Sequence, residues 1–288
     1  MPSLKDIRKR ISSVKNTQKI TRALKLVSAA KLNRSQREMS RLKPYAVKQE
    51  GLIRDLVAEV GGEGSPLFET RAEVKEIAVL LICSDRGMCG GFNSNALKHF
   101  RKFVAEKKAE GAKVSTWTIG KRAAQFVNKQ SYTLGANLGE ALRADLMHDV
   151  PEMAESFTQG FLKGSFDEVY IISNRFINAI TQTPKTHSLL PIVPPSDVEV
   201  TSSVERIYEP DQQTLLNFIL PRAIETQIRQ AILESITGEH AARMNAMNNA
   251  TDNASDMINT LTLELNRARQ AAITAELMEI ISGAEALK

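Results

Sequence analysis

Two stretches at opposite ends of the chain carry apolar residues at alternating steps of three and four. That is the heptad period of helices that supercoil against a partner. The longer stretch runs from about residue 211 to 285. Its distal half holds the seam Met244, Met247, Thr251, Ala254, Ile258, Leu261, Leu265, Ala268, Ala272 and Ala275. At about 1.5 Å per residue such a helix spans roughly 110 Å, far more than a compact domain contains. Pro221 lies near its start. A proline in a helix interior costs about 3 kcal/mol, so the pattern predicts a short first helix restarted with Pro221 in its opening turn. Gly238 costs about 1 kcal/mol more and marks the expected end of the more crowded part.

The second stretch covers residues 3 to about 58. Leu4, Ile7, Ile11 and Val14 keep the three-four spacing, and the apolar residues resume at Ile20, Leu24 and Val27. That shift predicts a stutter, a local unwinding of the supercoil. Pro44 predicts a kink or break. Helix resumes through Leu52, Ile53, Leu56 and Val60, and Gly61-Gly62-Glu63-Gly64-Ser65-Pro66 ends it.

Between these stretches the period changes. Residues 76–83 (EIAVLLIC) form a continuous apolar run, as in a strand buried on both faces of a parallel sheet. A glycine-rich loop, Ser84 to Asn93, leads into an amphipathic helix over about 94–110. A strand over 114–119, a short helix over 121–128 and a helical stretch over 138–163 follow, with Pro151 opening its second part. Strands are expected over 168–173 and 181–190, and Pro191, Pro194 and Pro195 close the section. Alternating strands and helices imply a Rossmann-like layout. The expected fold class is therefore α/β: a long antiparallel coiled coil of N- and C-terminal helices with an inserted Rossmann-like α/β domain. The division expected is 1–60, 70–205 and 210–288.

Composition agrees with helix and coiled coil, since aromatics make up only 5% of the chain. No apolar run reaches the length of a membrane span, and the N-terminus lacks an apolar signal core. Cys83 and Cys89 are the only cysteines, which suits a reducing compartment and offers no zinc framework. The charge is lopsided. Residues 1–43 hold thirteen basic and two acidic side chains in a chain of net charge +5. Such an arm is either a solvated face or a surface for an acidic protein or nucleic acid.

The glycine-rich loop sits where a phosphate cradle would, after a strand and before a helix. It lacks the Gly-Lys-Ser/Thr of a P-loop, since Phe92-Asn93 follow Gly90-Gly91, and it lacks the dinucleotide spacing. A tight turn or docking loop is the expected role. His99, His148, His187 and His240 are scattered, so no metal site is expected. Cys89 is expected to be inert, and Met244, Met247 and Met257 to pack. In the run 266–270, Arg267 and Arg269 point to different faces and are either solvated or bonded to a surrounding protein.

Asn16-Thr17-Gln18-Lys19-Ile20-Thr21, the loop SDRGMCGGFN (84–93), and the runs 239–254 (EHAARMNAMNNATDNA) and 266–280 (NRARQAAITAELMEI) together resemble the gamma subunit family of bacterial F-type ATP synthases. The resemblance covers essentially the whole chain. It implies a rotor shaft inside a ring of three alpha and three beta subunits, with the Rossmann-like domain resting on the c-subunit ring beside the epsilon subunit. Proton flow, or sodium in some members, would turn the ring and shaft and drive ATP formation at sites that beta holds with help from alpha. The chain itself would have no active site and no cofactor, and would touch the membrane only through the c ring, on the cytoplasmic face of the bacterial plasma membrane.

Residue by residue, the resemblance implies that Arg269 and Gln270 hydrogen-bond a loop of beta. Leu24, where the family often has methionine, and Lys25 would face an acidic segment of beta. Tyr208 and Glu209 would lie near the c ring, with Arg86 and Gly87 in the c-ring and epsilon contact. The inserted cysteine pair of plant plastid members is absent, so no thiol switch of that kind is expected. The alternative is a basic helical hairpin that binds nucleic acid. It is weakened by the lack of interleaved aromatics between Lys5 and Lys43 and by the acidic balance of the chain after Pro221. A shaft needs a seam that resists slip and few strong contacts with its sleeve, which alanine-rich packing and isolated polar latches supply.

Overall fold

The structure is a computed structural model that describes residues 3–60, 65–142, 145–193 and 208–285. The elements run α1 (Leu4–Val60), β1 (Glu76–Ile82), α2 (Phe92–Ala109), β2 (Lys113–Ile119), α3 (Lys121–Lys129), β3 (Thr133–Asn137), α4 (Val150–Leu162), β4 (Glu168–Phe176), β5 (Gln182–Leu190) and α5 (Gln212–Glu285). Two compact units result, residues 1–29 with 243–288 and residues 30–242.

In the larger unit a five-stranded sheet has the order β3-β2-β1-β4-β5. β2 and β4 flank β1 in parallel, β3 joins β2 in parallel, and β5 closes the other edge antiparallel to β4. The continuous apolar run of β1 is explained by burial on both faces. Ile77, Val79 and Leu81 meet Phe100 and Val104 of α2 and Val127 of α3. Ala78, Leu80 and Ile82 look the other way. They share a core with Phe157 and Phe161 of α4, Ile53 and Leu56 of α1, and Leu220, Ile224 and Ile228 of α5. The long helices are thus part of the domain core and share one face of the sheet with α4. The β5 edge is antiparallel, because a tight hairpin can join β4 to β5 only in that fashion.

Several expectations change. α1 runs unbroken through Pro44, and α5 through Pro221. Both prolines are exposed, so each ring points to solvent. The missing N–H costs one ladder bond, while Leu220, Ala223 and Ile224 beside Pro221 are buried and hold the helix together. The helix expected over 138–163 shrinks to α4 with a short 3₁₀ turn at Leu146–His148. The strand β3 has no counterpart among the expected elements: Thr133-Leu134-Gly135-Ala136-Asn137 is short, mostly exposed and lies at an edge. Gly238 is a point of close packing, for a Cβ there would lie 3.1 Å from Phe92 Cε2 and 3.2 Å from Gln182 Cγ. Gly61–Gly64, Pro194 and Pro195 lie outside the described residues.

In the smaller unit α1 and α5 form an antiparallel pair. Gln18 faces Ser255, Thr21 faces Thr251 and Lys25 faces Asn248. There is no stutter. Steps of three and four from Leu4 continue through Gln18, Thr21, Lys25 and Ser28. Thr21 and Ser28 are buried, whereas Ile20 is 60% and Val27 53% exposed. The seam changes chemistry without changing register.

Candidate functional site

The glycine-rich loop is the first place to look for chemistry, and its polar groups are spent on itself. Ser84 N donates to Asn93 Oδ1 at 3.0 Å. Asn93 Nδ2 donates to Ser84 Oγ at 2.7 Å, and the Ser84 hydroxyl in turn donates to Arg86 O at 2.6 Å. Met88 and Gly90 take left-handed backbone (φ 61 and 58°), which turns the chain sharply into α2. The Asp85 carboxylate accepts backbone N–H bonds from Lys121, Ala141 and Leu142 at 3.0–3.1 Å. Gly120 (φ 95°) passes so close to β1 that a Cβ would sit 2.1 Å from Cys83 O.

In open α/β sheets ligands settle beyond the carboxyl ends of the strands, where strand order reverses. Here that switch point, between β1 and β4, is occupied by the chain itself. Asn174 Nδ2 donates to Phe92 O at 3.1 Å, and Gly238 of α5 abuts Phe92. Burial, then Cys89, then Glu239 push the Cys83 thiol up to about 12. Cys89 is 2% exposed. Neither thiol is placed for nucleophilic work. His99 bonds Thr186 and His187 bonds Gln227. No group of three or more potential metal ligands occurs among the described residues.

The surface positions singled out in the sequence fall in three places. Arg269 and Gln270 are exposed on α5 of the smaller unit, and no hydrogen bond or ion pair of their side chains occurs among the described residues. Leu24 is half-buried on α1, between the exposed Ile20 and Val27. Lys25 is committed elsewhere, its Nζ donating to Asn248 Oδ1 at 2.6 Å. The pairings place Leu4 opposite about residue 269. α5 therefore continues beyond α1, exposing Ile273, Leu277, Met278, Ile280 and Ile281.

In the larger unit Tyr208 Oη donates to Glu59 Oε1 at 3.2 Å, and Gln212 to Glu59 Oε2 at 2.7 Å. Asp211 starts α5 by accepting from Thr214 N and Oγ1 at 2.8 and 2.7 Å, and these bonds hold its carboxyl below the usual range. Glu209 is exposed beside them. The loop with Arg86 and Gly87 does not join this patch. Along α5 the two places, near Gln212 and near Gly238, are separated by about 39 Å at 1.5 Å per residue.

Sequence reasoning missed Gln18, Thr21, Ser28, Asn248 and Ser255 as seam residues. The signal was present, for an uninterrupted three-four count from Leu4 lands on the first three of them.

Among the described residues no helix is long and apolar enough to cross a membrane. A family model described as ATP synthase matches residues 3–287. The ATP synthase gamma chain of Geobacter metallireducens is 45% identical over 288 residues, covering 100% of both chains. That of Chloroflexus aurantiacus is 44% identical, covering 100% of this chain and 99% of its own. Among solved structures, a chain of the Euglena gracilis mitochondrial ATP synthase OSCP/F1/c-ring, rotational state 3, is similar with a TM-score of 0.64 at 18% identity, over 99% of this chain and 94% of that one. A chain of the Tetrahymena thermophila mitochondrial ATP synthase central stalk and c ring gives 0.60 at 22% identity, over 80% and 99%. The nucleic-acid reading finds no support in these matches.

Proposed function

The chain belongs to the ATP synthase gamma chain family, and from that premise we propose that it is the central rotor shaft of a proton-translocating F-type ATP synthase. It couples rotation of the c ring to ATP synthesis or hydrolysis at the beta subunits and holds no active site or cofactor of its own. The observation that carries this reading is the match over the full length of both chains at 45% identity. The antiparallel helix pair, a torsion-bearing element, agrees with it.

One copy works with three alpha and three beta subunits, one epsilon subunit and the c ring, at the cytoplasmic face of a bacterial plasma membrane. The membrane is met only through the c ring, and nucleic acid is not a partner. Residues 1–60 and 210–288 supply the coiled coil, and residues 70–205 the Rossmann-like domain.

Arg269 and Gln270 bond a loop of beta, a role supported by their exposure and by the lack of side-chain partners among the described residues. Leu24 meets beta together with its exposed neighbours Ile20 and Val27. Lys25 is the weaker half of that contact, since Asn248 already holds its ammonium. Tyr208 and Glu209 belong to the contact with the c ring and epsilon, and Arg86 and Gly87 to a separate part of it. The distance between these pairs along α5 supports the separation.

Co-expression with alpha and beta subunits from the same source tests the reading. A stable complex of three alpha, three beta and one copy of this chain is expected. A chain that stays monomeric and instead binds RNA with a steep salt dependence would sink it.

A further inference from the structure

Within the smaller unit α1 carries two candidate seams. Ile20, Leu24 and Val27 each precede a residue of the observed seam, Thr21, Lys25 and Ser28, by one position. One residue is about 100° of helix turn. Turning α1 by that amount would exchange a polar seam for an apolar one. Burial of apolar area alone favours the turned arrangement. The structure has the opposite one. Ile20 and Val27 are 60% and 53% exposed, while Thr21 and Ser28 are 8% and 3% exposed.

The opposing force is visible. Gln18 Nε2 donates to Ser255 Oγ at 2.7 Å, Thr21 and Thr251 hydroxyls meet at 2.8 Å, and Lys25 Nζ donates to Asn248 Oδ1 at 2.6 Å. The partners on α5, Asn248, Thr251 and Ser255, step by three and four, so all three bonds form together only when this face of α1 looks at α5. In the turned arrangement Asn248, Thr251 and Ser255 would face aliphatic carbon instead of their present partners. A single polar residue in a coiled-coil seam fixes register at some cost in stability. Here three successive seam positions do so.

We propose that these three hydrogen-bonded pairs are a facing lock. They set the rotation of α1 about its own axis so that the stripe Ile20–Leu24–Val27 is presented outward rather than buried against α5. That the stripe then meets beta rests on the function proposed above; the lock itself does not, and it is tested in the isolated full chain.

Two engineered cysteine pairs report the facing, with disulfides assigned by mass spectrometry. Ser28→Cys with Met244→Cys reads the observed facing, and Val27→Cys with Met244→Cys the turned one. In the otherwise unchanged chain the first pair closes and the second does not. In Gln18→Ala/Thr21→Ala/Lys25→Ala, with helix content unchanged by circular dichroism, the yield of the second relative to the first rises at least tenfold. Adding Ile20→Gln/Leu24→Gln removes the competing seam and returns the ratio to its original value. If the triple variant does not fold, Thr21→Val, which deletes the central bond at constant volume, raises the ratio about threefold. An unchanged ratio in a folded variant overturns the lock. So does loss of both disulfides, since the pairs would then hold the helices together without choosing a face, and so does a raised ratio that Ile20→Gln/Leu24→Gln fails to reverse.

Discussion

Asp167 ties three parts of the larger unit together with one carboxylate. Arg71 Nη1 donates to Oδ1 at 2.6 Å, and the backbone N–H groups of Lys75 and Glu76 donate to Oδ2 at 2.7 and 2.8 Å, just where β1 begins. Burial pushes this carboxyl up. The bonds from Glu76, Arg71 and Lys75 outweigh it, and the net pKa lies below the usual carboxylate value. The stability so gained is complete above the unfolded pKa of about 4 and is lost as pH falls through the lower folded value. Asp167→Asn should cost about 2–3 kcal/mol at pH 7, since its single neutral oxygen can serve either Arg71 or the two N–H groups and leaves the others facing NH2. Urea unfolding from pH 7 to 3 checks both points: the gap between wild type and variant should shrink toward the acid end. Gly120→Ala should cost about 3 kcal/mol or more, because at φ 95° its Cβ would sit 2.1 Å from Cys83 O. A folded Gly120→Ala chain with an unchanged urea midpoint would show that β1 and the start of α3 can move apart freely.

At the scale of elements, the sequence spoke most clearly where one force acted alone. The unbroken apolar run of β1 required burial on two faces, and it has it. The antiparallel helix pair followed from two heptad stretches flanking one domain. Forces in competition were harder to read. Pro44 is a strong local breaker, yet the seam on either side of it, Leu42 and Ala46 half-buried and Gln49 and Ile53 buried, carries α1 through. β3 has little apolar signal because it is an exposed edge that Trp117 and β2 hold in place. The polar seam was misread because Ile20, Leu24 and Val27 looked like its continuation, and only partners on α5, more than two hundred residues away, show otherwise. Among site residues, the exposure of Arg269 and Gln270 matched the helical spacing, whereas the engagement of Lys25 with Asn248 depended on a distant residue. Pro44 also yields a prediction. It is exposed, so Pro44→Ala restores a backbone donor with little loss of packing. It should stabilise the chain by about 1–3 kcal/mol, raising the thermal midpoint. A lowered midpoint would mean that the proline relieves strain in α1.

At the scale of the whole molecule, the distribution of polar satisfaction separates what holds the chain together from what it offers to others. The loop after β1 consumes its own donors, and α5 fills the crevice where an α/β enzyme would take substrate. Far along α5 the situation is reversed. Arg269 and Gln270 are exposed without side-chain partners among the described residues, at the level where α1 begins and beside the exposed Ile273 and Leu277. A helix that offers a guanidinium and an amide next to apolar carbon can make a few directional bonds inside an otherwise slippery sleeve. If beta is the acceptor, each charge-assisted bond is worth about 1.5–3 kcal/mol. When that bond is made more fully in the rate-limiting state than before it, its loss slows turnover about tenfold to a hundredfold. Arg269→Ala and Gln270→Leu should therefore each lower ATP hydrolysis by the reconstituted complex by about tenfold or more, or reduce its assembly. The melting temperature of the isolated chain should stay within a degree or two, because neither side chain holds a partner among the described residues. Thermal melts of the free chain and steady-state ATPase assays of the complex separate the two effects. Full turnover and full assembly in both variants would remove the latch role and leave the sleeve contact to the apolar residues alone.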